Sequence, residues 1–526
     1  MNRFLTPLKK TLYFFVFFFI SISALAQGFS EQQLFRKFTI LYTNDLHSHL
    51  EPHIVPWVSE TRAIGGFANI AALVKDEKKN NPNTIYLDAG DYFTGPYISY
   101  ITEGKAVIDV MNKMKIDAAG VGNHEFDHGW ENVIKQFKRA NFPILNGNIF
   151  LENTSSLLWN KPYMVLKTNG VKVGLIGLHG KFAFYDTISE EMIQGVEARD
   201  EEVYLKQYLN ELEGKADIII LLAHQGIPGR QSSTGNVDVS RNLQKDIELA
   251  QNVPGIDIII TGHAHQGTPE PLLSGQTLIV STDALGIQLG KLDITYDPDT
   301  DKIVSYSNKL QVVFDDEIED DKKTKAVIDK WKIKSSKIAA EKISLVSENL
   351  TRSYGEESLL GNMVADAILH SFPDNDFAVV NSGGLRQDIP AGTVTVGDII
   401  SAFPFPNTVV KAELTGNQIL EVFEHAASLT NGILQVSKGV IFIYDENRPV
   451  GNRLVSLKIQ GECVQKDRIY KVLVPNFVSD GGDGYLAFTK ALNKKNTHEL
   501  VTESIKKYLS TFPTYQAKIE GRIIKK

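Results

Sequence analysis

A chain of 526 residues, 43% hydrophobic and 22% charged, has the balance of an ordinary globular protein, which excludes a fibrous or disordered polypeptide; its length exceeds what one core usually serves and predicts two domains. The formal net charge of −8 argues against general affinity for a nucleic-acid polymer, so an anionic substrate would have to meet local cations, either metal ions or a few placed arginines. Cys463 is the only cysteine, which leaves no internal disulfide and disfavours thiol chemistry.

In chain order, Arg3, Lys9 and Lys10 precede an apolar run from Leu12 to Ile22, and Ala24-Leu25-Ala26 supplies a cleavage point. The pattern predicts a secretory signal over residues 1–26, a mature chain beginning near Gln27, and a periplasmic or extracellular location. Loss of those three cations takes the formal charge from −8 to −11. The run falls short of the roughly 18 to 20 apolar residues that a spanning helix needs. No cysteine sits at the cleavage point and no later stretch is apolar enough to span a bilayer, so no stable membrane anchor is expected.

From Lys37 to about Val313, short β-rich runs (Phe38–Tyr42, Thr84–Leu87, Val171–Leu178, Ile218–Ala223 and Ile256–Ile260) alternate with helical or loop stretches, the pattern of an α/β domain. Several runs end directly in polar clusters: Thr43-Asn44-Asp45, Asp88-Ala89-Gly90-Asp91, Ala223-His224-Gln225 and Thr261-Gly262-His263. Strand ends are where ligand groups converge in such folds. A lysine-rich segment between Glu319 and Ile343 predicts a connecting helix with Val327, Trp331 and Ile338 on its apolar face. A second unit begins near Leu350 with the helical pattern around Leu360-Gly361-Asn362, continues through strands and Gly-rich turns to Tyr485, and ends in a helix near Thr502–Leu509. The resulting division is 27–317, a connecting helix at 318–345, and 346–526.

Asp45, His47, Asp88, Asn123, His224, His263 and His265 are too many ligands for one ion and fit two ions bridged by a carboxylate. Carboxylate, carboxamide and imidazole groups suit two divalent ions of the Zn, Mn or Co kind, and the absence of a cysteine among them disfavours a structural thiolate zinc. Asp45 and His47 flank one residue at a strand end, where alternation can aim both at the same ion.

Quoted as they stand, Asp45-x-His47, Gly90-Asp91 with Asp88 ahead, Gly122-Asn123-His124, a lone His224 and Gly262-His263-x-His265 resemble the calcineurin-like metallophosphoesterase pattern in order and spacing. The resemblance implies a four-layer α/β-β-α sandwich. It also implies one metal on Asp45, His47, Asp88 and His265 and another on Asp88, Asn123, His224 and His263, with Asp88 as the bridge. Two ions about 3.5–4 Å apart bind a bridging hydroxide and neutralise phosphoryl oxygens during in-line displacement, so water is the nucleophile. His124 and Asp127 resemble the family's catalytic pair, the imidazole facing the phosphate and the carboxylate orienting it. His49 and His53 fit no position of the pattern, and His128, His179, His370 and His425 read as structural or surface residues.

In the second unit, Asn381-Ser382-Gly383-Gly384-Leu385-Arg386, Phe403-Pro404-Phe405-Pro406-Asn407 and Phe477 through Asp483 to Tyr485 supply aromatic, carboxylate and guanidinium groups that could hold a planar base, a ribose and a phosphate. Placed after the metal motifs, they resemble the C-terminal domain of the bacterial periplasmic 5′-nucleotidase/UDP-sugar hydrolase family, over almost the whole mature chain. That resemblance implies an α+β substrate domain in which Phe405 and Phe477 stack on the base, Asp483 binds the ribose, and Asn381 and Arg386 contact base or phosphate. Gly384 would let the backbone approach the ligand. The family has a further arginine shortly before the Gly-Asn of the domain's first helix, and Arg352 stands near that place with different spacing. It also implies that the substrate domain rotates about the connecting helix to bring base site and metal site together.

The expected activity is hydrolysis of nucleoside 5′-monophosphates outside the cytoplasm, as a step of nucleotide catabolism. A 2′,3′-cyclic nucleotide phosphodiesterase or UDP-sugar hydrolase would use the same ions and clamp. A nucleotide-binding protein without turnover and a thiosulfate-ester hydrolase of related architecture are the alternatives from further away, and the oligomeric state is open.

Overall fold

The computed structural model describes residues 35–228, 238–429 and 432–526; the signal expected at 1–26 lies outside them. Strands β1 (Arg36–Thr43), β2 (Thr84–Asp88) and β3 (Ala118–Ala119) run parallel to one another. The chain then builds a second sheet from β4 (Tyr163–Thr168), β5 (Val171–His179), β6 (Ile218–His224), β7 (Ile258–Gly262), β8 (Leu272–Ser274) and β9 (Thr277–Val280), in the order β8-β9-β7-β6-β5-β4. It returns through β10 (Gln288–Asp297) and β11 (Lys302–Val312), both antiparallel to their neighbours, to complete the first sheet as β11-β10-β1-β2-β3.

The two sheets face each other across a core that includes Ile40, Leu87, Val173, Ile220 and Ile260. Helices α1 (Phe67–Asn80), α2 (Lys105–Met111) and α3 (Lys181–Thr187) send Phe67, Val107 and Phe184 into a second core that also takes up Leu41 and Tyr86 of the first sheet. Helices α4 (Glu201–Leu212) and α5 (Gln244–Asn252) cover the other sheet through Leu205, Tyr208 and Leu249. Sheets covered on both faces read as continuous apolar runs, as Ile218–Leu222 does. This is the four-layer helix-sheet-sheet-helix arrangement.

Helix α6 (Lys322–Ala339) follows, its first turn capped by the Asp321 side chain, which accepts from the Thr324 N–H. Its buried face is Thr324, Ile328, Trp331, Ser335 and Ala339. Val327 packs partly against the first domain. Ile338 is 53% exposed, contrary to the expectation from spacing, because the 3.6-residue pitch gives the contact to Ser335 and Ala339 instead.

The second domain wraps a five-stranded sheet. It contains α7 (Leu359–Ser371), β12 (Phe377–Asn381), β13 (Thr408–Thr415), α8 (Gly416–Ser428), β14 (Leu434–Val436), β15 (Ile469–Pro475), β16 (Asn493–Leu500) and α9 (Val501–Ser510), with strand order β14-β12-β15-β13-β16. Helices α7 and α9 share one core with the sheet and α8 shares another. Among the described residues, no helix is long and apolar enough to cross a membrane.

Register places the site. Thr43 pairs with Asp88 and His224 with Gly262, so the carboxyl ends of β1, β2, β6 and β7 come level within each sheet where the polar clusters begin. In the second domain, β12 ends at Asn381 and opens the turn that carries Gly384 and Arg386.

Candidate active site

Ligand atoms of Asp45, His47 and His265 lie within 4.8 Å of one another, and so do those of Asp91, His224 and His263. A third group of His47, Asp91 and His124 links the two. The atoms are oriented as ligands. His47 and His224 donate their Nδ1–H to the carbonyls of Thr94 (3.1 Å) and Ala89 (3.0 Å), which turns each Nε2 inward. Nε2 of His47 and Nε2 of His265 meet at 2.9 Å. Nε2 of His263 and both amide atoms of Asn123 are buried with no hydrogen-bond partner. Buried polar atoms without partners are uncommon and costly; this convergent set fits divalent cations.

Asp91 replaces the expected Asp88 at the junction. Asp88 is the last residue of β2, and its carboxylate is taken up by the Thr43 hydroxyl (2.6 Å) and the Gly90 N–H (3.0 Å). Gly90, at φ 93°, then turns the chain so that Asp91, rather than the residue at the strand end, enters the cluster. The carboxylate nearest the strand end is thereby held outside the histidine cluster. The signal that could have found Asp91 is the Gly-Asp pair itself.

The backbone beneath the cluster is strained in a consistent way. Asp45, His47, Asp91, His263 and His265 all have φ between 42° and 76°, a region that non-glycine residues seldom occupy and that persists only where surroundings fix it. Asn44 is one such restraint: its amide donates to Asp45 (2.7 Å) and to the Thr282 carbonyl (3.0 Å). Burial holds His47 well below its ordinary imidazole value, and His265 and Arg386 push the same way. Burial works downward on His224 too, but Asp91 at 3.0 Å outweighs it and raises the imidazole to about 10.

His124 stands beside this cluster. Its Nδ1–H donates to Asp127 (2.8 Å), which also receives the Thr94 hydroxyl (2.6 Å), so the dyad is oriented from both sides. Nε2 of His124 accepts from the Arg386 guanidinium at 2.8 Å across the two domains, and the Phe405 ring lies 5.7 Å from the imidazole.

The expected substrate residues line a single cavity of about 1190 Å³ with the metal cluster. Asn381, Gly384, Arg386, Phe405, Phe477, Asp483 and Arg352 all reach it. Asn381 donates to Asp483 (2.8 Å), and His425, read from sequence as a structural or surface residue, donates to the Asp483 carbonyl (2.8 Å). Arg352 binds the backbone carbonyls of Leu385 and Arg386 and so braces the turn that presents Arg386. Asp186 of α3 lies at the boundary with the second domain. It is raised to about 6 by burial and then by the negative charge of Asp483 in the other domain.

Residues 38–267 match the calcineurin-like phosphoesterase family and residues 336–490 match the 5′-nucleotidase C-terminal domain. The chain is 29% identical over 543 residues to 5′-nucleotidase of Mus musculus, covering 92% of this chain and 90% of that one. The crystal structure of a 5′-nucleotidase precursor from Thermus thermophilus superimposes with a TM-score of 0.79 at 27% identity, covering 93% of this chain and 99% of that one. A sulfate thiohydrolase, SoxB, from the same organism shares the fold alone, with a TM-score of 0.74 at 19% identity, covering 93% of this chain and 96% of that one.

Proposed function

As a member of the family that joins a calcineurin-like phosphoesterase domain to a 5′-nucleotidase C-terminal domain, the chain is a metal-dependent phosphoester hydrolase, and we propose that it converts nucleoside 5′-monophosphates to nucleoside and phosphate outside the cytoplasm. One observation carries the reading: Asp91, His124 and His265 share a cavity with Phe405, Phe477 and Asp483. A phosphate at the first set leaves a nucleoside within reach of the second.

In this reading one ion would be held by Asp45, His47, Asp91 and His265 and the other by Asp91, Asn123, His224 and His263. A bound pair of Zn, Mn or Co ions would lower the pKa of water and neutralise phosphoryl charge during in-line displacement. His124, with Nδ1–H committed to Asp127, presents Nε2 to the substrate; once Nε2 has taken a proton from solvent, the imidazolium can hydrogen-bond the phosphate and donate that proton to the leaving 5′-oxygen. Arg386, which meets that Nε2, is placed to pair with a phosphate oxygen instead when substrate enters. Phe405 and Phe477 stack on the base, and Asp483, oriented by Asn381, accepts from the ribose hydroxyls.

A second reading, hydrolysis of a sugar nucleotide, is favoured by the size of the cavity. At about 1190 Å³ it exceeds the roughly 300–1,000 Å³ usual for small-molecule sites. It also continues past the metal cluster to His49, His53 and Trp57. Product analysis for the purified protein with Mn, Co or Zn ranks the two: phosphate from nucleoside mono-, di- and triphosphates, UMP and sugar phosphate from a UDP-sugar, and a nucleoside monophosphate from a 2′,3′-cyclic nucleotide. The expected result is metal-dependent release from the monophosphate, reduced about 10²–10⁴-fold in His124→Ala. Metal-loaded protein that turns over none of them would overturn both readings.

A further inference from the structure

We propose that Glu125, which supplies no atom to the metal cluster, is the positioning residue of that centre, holding Asp91 in its ligand geometry before any cation binds. The inference rests on the reading of Asp91 as a shared ligand. Glu125 is fully buried, and its two oxygens accept four backbone N–H groups. Oε1 takes those of Tyr92 (2.9 Å) and Phe93 (3.0 Å); Oε2 takes those of Asp91 (3.0 Å) and Gly122 (2.7 Å). One carboxylate thus ties the loop that follows β2 to the loop that follows β3.

That loop needs an external hold. Gly90, Asp91 and Thr94 have φ of 93°, 59° and 52°, a succession that a free segment would not keep. Once pinned, the loop carries the rest of the centre with it. The carbonyls of Gly90, Asp91 and Tyr92 accept from the N–H groups of Asp45, His47 and Ser48, and Asp91 Oδ1 accepts from the His124 N–H at 2.8 Å. Asp91 Oδ2 is left to face His224. The loops pack so closely that a Cβ on Gly122 would collide with Asp91 Oδ1.

The four acceptor contacts make Glu125 irreplaceable by its isostere. Glutamine would turn an NH₂ group toward two N–H donors, and aspartate would fall a methylene short of all four. Outer-sphere changes of this kind typically weaken metal affinity about 10–100-fold.

The first test uses the wild-type protein. Amide hydrogen exchange is read at Asp91, Tyr92, Phe93 and Gly122 after chelation and after Mn²⁺ addition. Protection of all four amides without metal is expected; free exchange that slows only on Mn²⁺ addition would show that the ion sets the loop and would overturn the proposal. The second test compares Glu125→Gln with wild type by Mn²⁺ titration and electron paramagnetic resonance. Expected are Mn²⁺ affinity about 10–100-fold weaker, loss of the spin-coupled pair signal, and a lower kcat with KM changed less than about threefold. Wild-type Mn²⁺ affinity and coupling in a folded variant would overturn the proposal, and if the variant does not fold the exchange measurement decides. Wild-type protein that binds no Mn²⁺ would sink the metal reading, whereas the exchange result bears on Glu125 by itself.

Discussion

The two walls of the cleft are built by different rules. On the metal-bearing wall, Asp45, His47, Asp91, Asn123, His224 and His263 are each at most 4% exposed, and most sit on left-handed backbone. Hydrogen bonds within the same domain fix them. On the opposite wall, Arg386, Phe405, Phe477 and Asp483 are only half-buried, and Arg386 makes its contact with His124 across the domain boundary. The difference follows from what each wall holds. A cation site works when its ligands are preset and dehydrated, whereas the groups proposed to bind a nucleoside, which would enter and leave on every turnover, stay open to solvent.

The largest effect should come from the buried wall. Asp91→Asn is expected to lower activity by more than about 100-fold and to reduce bound metal, since outer-sphere substitutions alone cost about 10–100-fold. Asp88→Asn should keep its metal and lose on the order of 1 kcal/mol of stability through its contacts to Thr43 and Gly90. Metal analysis beside thermal unfolding separates the two, and equal metal loss in both would break the assignment of Asp91.

A medium effect belongs to the open wall. Phe405→Ala should raise KM with little change in metal content, by an amount matching the loss of base stacking, about 1–3 kcal/mol. If kcat falls while KM holds, Phe405 serves the chemistry through the His124 ring it approaches, and the separation of the two walls fails.

The smallest effect tests how the walls meet. Burial first, and then Asp483, raises the Asp186 carboxyl from 3.8 to about 6. A carboxyl raised on folding contributes stability that is full below its unfolded value and is lost as pH rises through the folded one. Closure of α3 on residues 482–484 should therefore weaken between about pH 4 and pH 6, by on the order of 1 kcal/mol after screening. Asp186→Asn should flatten that segment of a Tm against pH curve; an unchanged curve would mean that Asp483 does not face Asp186 in solution.

The strands of the first domain were legible because buried parallel strands show as uninterrupted apolar runs. Thr84–Asp88, Val171–His179 and Ile218–His224 formed where expected, to within one residue. Helix α9 over Val501–Ser510 was likewise readable. Ile338 was misplaced because a single apolar residue does not say which of two neighbouring stripes a helix will bury. Asp88 was misplaced because two carboxylates share one short motif and only the turn at Gly90 decides between them. Glu125 was visible within Gly-Asn-His-Glu, but its partners are backbone N–H groups up to 34 residues away, and backbone donors leave no trace in sequence.

By itself the sequence determined which chemistry is available. Side chains that bind cations, stack on bases or pair with phosphate are set by residue type, and their position after apolar runs follows from local periodicity. Tertiary structure alone decided which carboxylate enters the histidine cluster, which imidazole nitrogen faces inward, and that Arg386 meets His124 across the cleft. Those outcomes depend on turn geometry and packing between segments distant in the chain, where a few degrees of φ or one hydrogen bond redirects a side chain.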